Sequence, residues 1–173
     1  RMSVIRLATI HSALILFFGT ACDPDRGEQA EKEPGVPRCG PGTGVVARVI
    51  DGDTIELESG EKVRYLMVDA PEVTNGKSEC YGAEAREFNA EYVLGQEVSL
   101  TYDVECSDRY GRLLAYVEAP DGEMNTLMVA RGYACAYYLP PNGEDRQVEF
   151  RDLQSTAEQN GVGLWGDCPG ACQ

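Results

Sequence analysis

The stretch from Arg48 to Glu72, R-V-I-D-G-D-T-I-E-L-E-S-G-E-K-V-R-Y-L-M-V-D-A-P-E, constrains the fold more than any other part of the chain. Apolar and β-branched residues flank a Ser59-Gly60 turn, the pattern of a β-hairpin. Acids stand at both ends: Asp51 and Asp53 around Gly52, then Asp69 and Glu72 around Pro71. Counted outward from the turn, Asp53 and Asp69 reach the same end of the hairpin, a few residues out of step. Gly52 and Pro71 are backbone punctuation able to close that offset. An oxygen-rich pocket there suits a hard divalent cation. Asp and Gly are also the common turn formers, so ordinary turn acids account for the same spacing.

Composition narrows the chemistry. The 173 residues are 43% hydrophobic, enough for one packed domain with accessory segments. Twenty-nine acids against 15 bases give a net charge of −14, which argues against bulk electrostatic capture of nucleic acid. A polyanionic substrate therefore needs a local positive pocket or a metal ion. The single histidine, His11, lies in the first residues. Downstream of it a Ser-His-Asp triad, a Cys-His pair and a histidine-ligated zinc site are all excluded. Any hydrolysis here has to run on carboxylates, arginines and tyrosines, with or without a metal.

Residues 1–21 read as a signal peptide, with Arg1 and Arg6 at the start and a short apolar run from Ile10 to Phe18. Gly19-Thr20-Ala21-Cys22 resembles a bacterial lipoprotein cleavage box, with Cys22 as the lipidated residue and the membrane reached through that anchor. Gly19 stands where a large aliphatic residue is usual, and cleavage after Ala21 in a soluble secreted protein is the other reading. Either way the chain is exported from a bacterial cell. Residues 22–43 form an acidic, Pro/Gly-rich tether, the folded domain covers 44–168, and 169–173 are a tail. Without Cys22, six cysteines remain: Cys39, Cys80, Cys106, Cys135, Cys168 and Cys172. An even set in an exported domain fits three disulfides whose connectivity counting cannot give.

Within the domain, Val45–Ile50, Thr54–Leu57, Val63–Val68, Val98–Tyr102 and Leu113–Val117 read as strands. Helical spacing predicts helices over Ala83–Leu94, Asn125–Gly132 and Asp145–Gln159, the last with Phe150, Leu153 and Ala157 inward. Tyr133–Leu139 reads as extended, and Trp165 as a core anchor. The fold class is α+β, mainly β: a five-stranded OB-type barrel with about three helices.

Four motifs occur in order: I-D-G-D-T at Ile50–Thr54, V-R-Y-L-M-V-D-A-P-E at Val63–Glu72, Y-G-x-E-A at Tyr81–Ala85 and D-R-Y-G-R at Asp108–Arg112. Together they resemble the staphylococcal nuclease (thermonuclease) family over Val45–Trp165. The resemblance implies a calcium ion held by Asp53, Asp69 and the carbonyl of Ala70, where the family often has threonine. It implies Glu72 as the base that activates water, Arg64 and Arg112 as phosphate-binding arginines, and Tyr110 and Tyr138 as contacts to the nucleotide. DNA and RNA, preferably single-stranded, are the implied substrates, cut to 5′-hydroxyl and 3′-phosphate ends by a monomer. Local alternation alone puts Arg64 and Asp69 on opposite faces of a strand, so their convergence rests on the resemblance. In the resembling fold the segments of Cys80 and Cys106 both lie on the active-site side, which implies a Cys80–Cys106 bridge. Unlike the family's best-known basic member, this domain carries 11 bases against 24 acids from residue 36 onward. The competing expectation is an OB module that binds nucleic acid or protein without chemistry.

Overall fold

The computed structural model describes residues 39–74 and 76–172. The expected signal peptide, Cys22 and residues 23–38 of the expected tether lie outside the described residues. Five strands form the barrel: β1 (Thr43–Asp51), β2 (Thr54–Leu57), β3 (Lys62–Tyr65), β5 (Glu97–Ser107) and β6 (Leu113–Ala119). Their order is β3-β2-β1-β5-β6, and a parallel pairing of β3 with β6 closes the sheet on itself. A short β4 (Val68–Asp69) pairs with β8 (Cys135–Ala136) beside the barrel, and β7 (Gly122–Glu123) extends β6.

Alternation explains the core. Along β5, Val98, Leu100 and Tyr102 are buried while Glu97, Ser99 and Thr101 face out. Val46, Val49, Ile55, Leu57, Val63 and Tyr65 fill the barrel from the other strands. Strand β1 serves two neighbours: Thr43–Val45 pair with β5, and Val46–Asp51 pair with β2. Register shifts after Val46 and Val49 bend it between the two tasks. The Ser59-Gly60 turn forms as expected, with the Gly60 amide donating to the Leu57 carbonyl at 2.9 Å.

Helix α1 (Gly82–Val93) lies over β1 with Ala85 and Val93 fully buried. Helices α2 (Met124–Ala130) and α3 (Gln147–Gln159) pack against each other, with Met128 and Phe150 buried in the core. A four-residue α4 (Leu164–Asp167) follows, and here the expectation needs adjusting. Leu164 is the fully buried residue of this turn, while Trp165 is only half-buried.

Two further differences bear on the site. The predicted Val63–Val68 strand is broken after Tyr65, because Met67 adopts a left-handed φ of 64° and separates β3 from β4. The Cys80–Cys106 bridge does not form. The disulfides are Cys39–Cys106, Cys80–Cys168 and Cys135–Cys172. The reason is register. The antiparallel pairing Thr43↔Ser99 continues backward, with the Leu100 amide donating to the Gly42 carbonyl at 2.8 Å and the Tyr102 hydroxyl to the Pro41 carbonyl at 2.8 Å. Cys39 is thereby led along β5 to Cys106, and Cys80 is left facing the C-terminal segment.

Peptide mapping without reduction is expected to recover these three pairs and no Cys80–Cys106 peptide. Replacing Cys135 and Cys172 by serine is expected to lower stability by about 2–4 kcal/mol in denaturant melts, because the unfolded chain regains the entropy of an open loop.

Candidate active site

The β1–β2 turn supplies the first acids. Asp51 and Asp53 are both buried. Asp53 Oδ2 accepts the Ala70 amide at 2.7 Å, Asp53 Oδ1 accepts the Thr54 hydroxyl at 3.0 Å, and Asp51 Oδ1 accepts the Asp53 amide at 3.2 Å. Gly52 between them leaves no room for a side chain: a Cβ there stands 2.6 Å from Ala70 Cβ and 2.9 Å from Ala85 Cβ. The turn can therefore dock directly on the Asp69-Ala70 segment, closing the offset read from the hairpin.

Arg64 joins the two segments. On β3 it lies opposite Thr54, and its Nη1 meets Asp53 Oδ2 while its Nη2 donates to Asp69 Oδ1 at 2.9 Å. Residues five apart on one strand point to opposite faces. The left-handed Met67 resets that parity, so Arg64 and Asp69 meet.

Arg112 arrives from the loop between β5 and β6. The parallel register Arg64↔Leu114 sets that loop beside Arg64. Asp108 organises it: Oδ1 accepts the amides of Tyr110 at 2.9 Å and Arg112 at 3.0 Å, and Oδ2 accepts Arg112 Nε at 2.7 Å. Burial works against the ionised Asp108, but these hydrogen bonds outweigh it and hold the carboxyl below its usual range. The Tyr110 ring, largely exposed, lies 4.8 Å from the Arg109 guanidinium and 5.6 Å from that of Arg112. Arg64, Asp69, Tyr110, Arg112, Tyr137 and Leu139 line one cleft of about 580 Å³.

Not every expected residue lies in that cleft. Asp53 sits behind Arg64, and Ala70 is buried. Glu72 is half-buried three residues beyond Asp69, with Oε2 accepting the Thr74 hydroxyl at 3.0 Å, and does not line the cleft. Tyr138 points elsewhere: its hydroxyl donates to Glu144 Oε2, and it lines a separate cavity with Phe150 and Gln154. Its neighbour Tyr137 faces the cleft instead. Asp108, Tyr137 and Leu139 were not singled out from the sequence. Asp108 carries a legible signal, since an Asp two residues before Tyr110-Gly111 is the start of an Asx-type turn.

Asp53 is pushed up to about 6 by burial, with the Asp51 charge adding to the rise and Arg64 and the Ala70 amide opposing it. Asp69 is also raised, by burial and then by Asp53 and Glu79, against Arg64. Among the described residues no three Asp, Glu, His or Cys side chains gather as a metal cluster. The donor set is two carboxylates plus a peptide carbonyl. Both carboxylates already converge on one positive charge, the Arg64 guanidinium, and such hard oxygen donors fit a divalent cation.

The fold is thus a closed OB barrel that carries two arginines and paired carboxylates at one mouth. Residues 62–167 match the family model described as staphylococcal nuclease homologue. The chain is 37% identical over 126 residues to a thermonuclease of Staphylococcus intermedius, covering 70% of this chain and 74% of that one. It is 34% identical over 136 residues to a micrococcal nuclease of Shigella flexneri, covering 72% and 74%. It is also 33% identical over 152 residues to endonuclease YhcR of Bacillus subtilis, covering 79% of this chain and 12% of that one. The chain belongs to the staphylococcal nuclease family.

The raised Asp53 sets a pH dependence in the metal-free protein. Between its ordinary value of 3.8 and about 6 the folded state holds more protons than the unfolded one. This group's contribution is fully present below the lower value and is lost as pH rises through the upper one. Denaturant melts of metal-free protein are expected to show that loss, on the order of 3 kcal/mol, and Asp53→Asn to flatten it.

Proposed function

We propose that the chain is a calcium-dependent phosphodiesterase that hydrolyses DNA and RNA with little sequence preference. Its family and the names of its relatives make it a hydrolase of the nuclease class. The observation that carries the finer reading is the joining of Asp53 and Asp69 through Arg64, with Arg112 on the same cleft.

Asp53, Asp69 and the Ala70 carbonyl are the residues that would hold calcium. Bound there, calcium would supply Lewis-acid chemistry, neutralising phosphate charge and helping to orient water. Arg64 and Arg112 stay protonated throughout and donate N–H groups to the oxygens that gain charge in the transition state. Asp108 holds Arg112 by its Nε, which fixes the plane of the guanidinium before substrate arrives. Glu72 takes the proton from the attacking water, a contribution that is typically ~10²–10⁴-fold. Tyr110, Tyr137 and Leu139 offer exposed rings and apolar surface for unpaired bases, which favours single strands. The acidic surface gives little non-specific capture, so binding depends on the cleft and on divalent ions. Three disulfides fit export to an oxidising compartment. Mass spectrometry of the mature N-terminus tests lipidation of Cys22.

The decisive assay is cleavage of denatured DNA by the oxidised protein with calcium and then with chelator. Loss of cleavage on chelation is expected; binding without cleavage under both conditions would favour the non-catalytic module. Arg112→Ala and Glu72→Gln are each expected to lower kcat by about 10²-fold or more with the melting temperature retained. Tyr137→Ala is expected to raise KM by roughly 10-fold, the loss of one stacked base, and Tyr138→Ala to leave it unchanged.

A further inference from the structure

The backbone of Glu72 is gripped from outside the cleft. Its amide donates to Glu79 Oε2 at 2.9 Å, and its carbonyl accepts the Glu79 amide at 2.9 Å. Residue 79 thus meets both hydrogen-bonding groups of the Glu72 main chain. Behind this pair stands the start of α1. The Gly82 amide donates to the Glu79 carbonyl at 3.1 Å, and a Cβ on Gly82 would lie 2.6 Å from Val73 Cγ1 and 2.9 Å from the Pro71 carbonyl oxygen. Cys80, between Glu79 and the helix, is tied to Cys168. The Pro71–Val73 backbone is therefore wedged between Gly82 and Glu79, and a covalent bridge fixes the wedge.

We propose that Glu79 is a positioning residue for Glu72, holding its main chain and so fixing the point from which the Glu72 carboxylate acts. The Cys80–Cys168 bridge fixes Glu79 in turn. The proposal rests on Glu72 acting as the base, as inferred above. Glu79 is about half exposed, with Lys77 Nζ 3.9 Å away at its other oxygen. Exposed polar contacts of this kind add little to stability. Small errors in the placement of a base cost turnover heavily. The consequence of losing Glu79 belongs in kcat and not in the melting temperature.

The test compares Glu79→Ala with Glu79→Gln, whose amide oxygen still accepts the Glu72 N–H. Glu79→Ala is expected to lower kcat by about 10-fold or more. The KM for denatured DNA, the half-saturating calcium concentration and the melting temperature should stay within about twofold or a few degrees of the parent. Glu79→Gln is expected to restore most of the turnover. Hydrogen exchange of the Glu72 amide, followed by NMR, should quicken in Glu79→Ala and not in Glu79→Gln. Unchanged kcat in Glu79→Ala, equal loss in both variants, or a loss confined to KM or calcium overturns the proposal. Full turnover in Glu72→Gln would remove Glu72 as base and with it the kinetic arm. The Glu72 amide then decides alone, and unchanged exchange in Glu79→Ala overturns the grip itself.

Discussion

The parallel pairing of β3 with β6 is the contact on which the rest of the molecule depends. It converts a curved antiparallel sheet into a closed barrel, so neither strand is left with a free edge on that side. The same pairing brings two distant parts of the chain to one mouth, because Arg64 lies at the register position of Leu114, two residues after Arg112. A one-residue slip would turn Arg64 inward and put Val63 at the cleft. The fully buried Val63 and Ala115 penalise that slip, so the core specifies the register and the register assembles the cleft.

Burial at the cleft works against the charges it gathers. Asp53 and Asp69 are both driven toward their neutral forms, and Arg64 offsets only part of that cost. A cluster of this kind is poor material for holding a barrel together. The barrel gains its stability elsewhere, from the alternating apolar faces of β1, β2 and β5 and from three disulfides. Gly52 shows the same division of labour. Its missing side chain contributes nothing to the core, but it is what lets the Asp51–Asp53 turn press against Ala70.

Much of this was legible in the sequence. The Ser59-Gly60 hairpin follows from composition and turn chemistry, and the alternation of Val98, Leu100 and Tyr102 from period two. The meeting of Arg64 and Asp69 was not readable from V-R-Y-L-M-V-D. The left-handed residue that restores their parity is a methionine, with no Gly, Pro or Asn to announce it. Resemblance to a family supplied that contact where local rules denied it. Resemblance was less useful at Tyr138, where adjacent side chains of an extended segment point opposite ways and a single position decides which tyrosine reaches the cleft. Disulfide partners depend on which segments run side by side in space, and spacing along the chain carries no trace of that for Cys39 and Cys106.

The three bridges also interleave. Cys80 falls inside the loop closed by Cys39 and Cys106, and Cys135 falls inside the loop closed by Cys80 and Cys168, itself overlapped by Cys135–Cys172. Every peptide bond from residue 39 to residue 172 is thus spanned by at least one of them. A protease that cuts this domain once opens a loop but frees no fragment, and the two pieces stay joined and able to close again. That overlap confers a tolerance to nicking anywhere along the segment, which none of the three bridges gives alone.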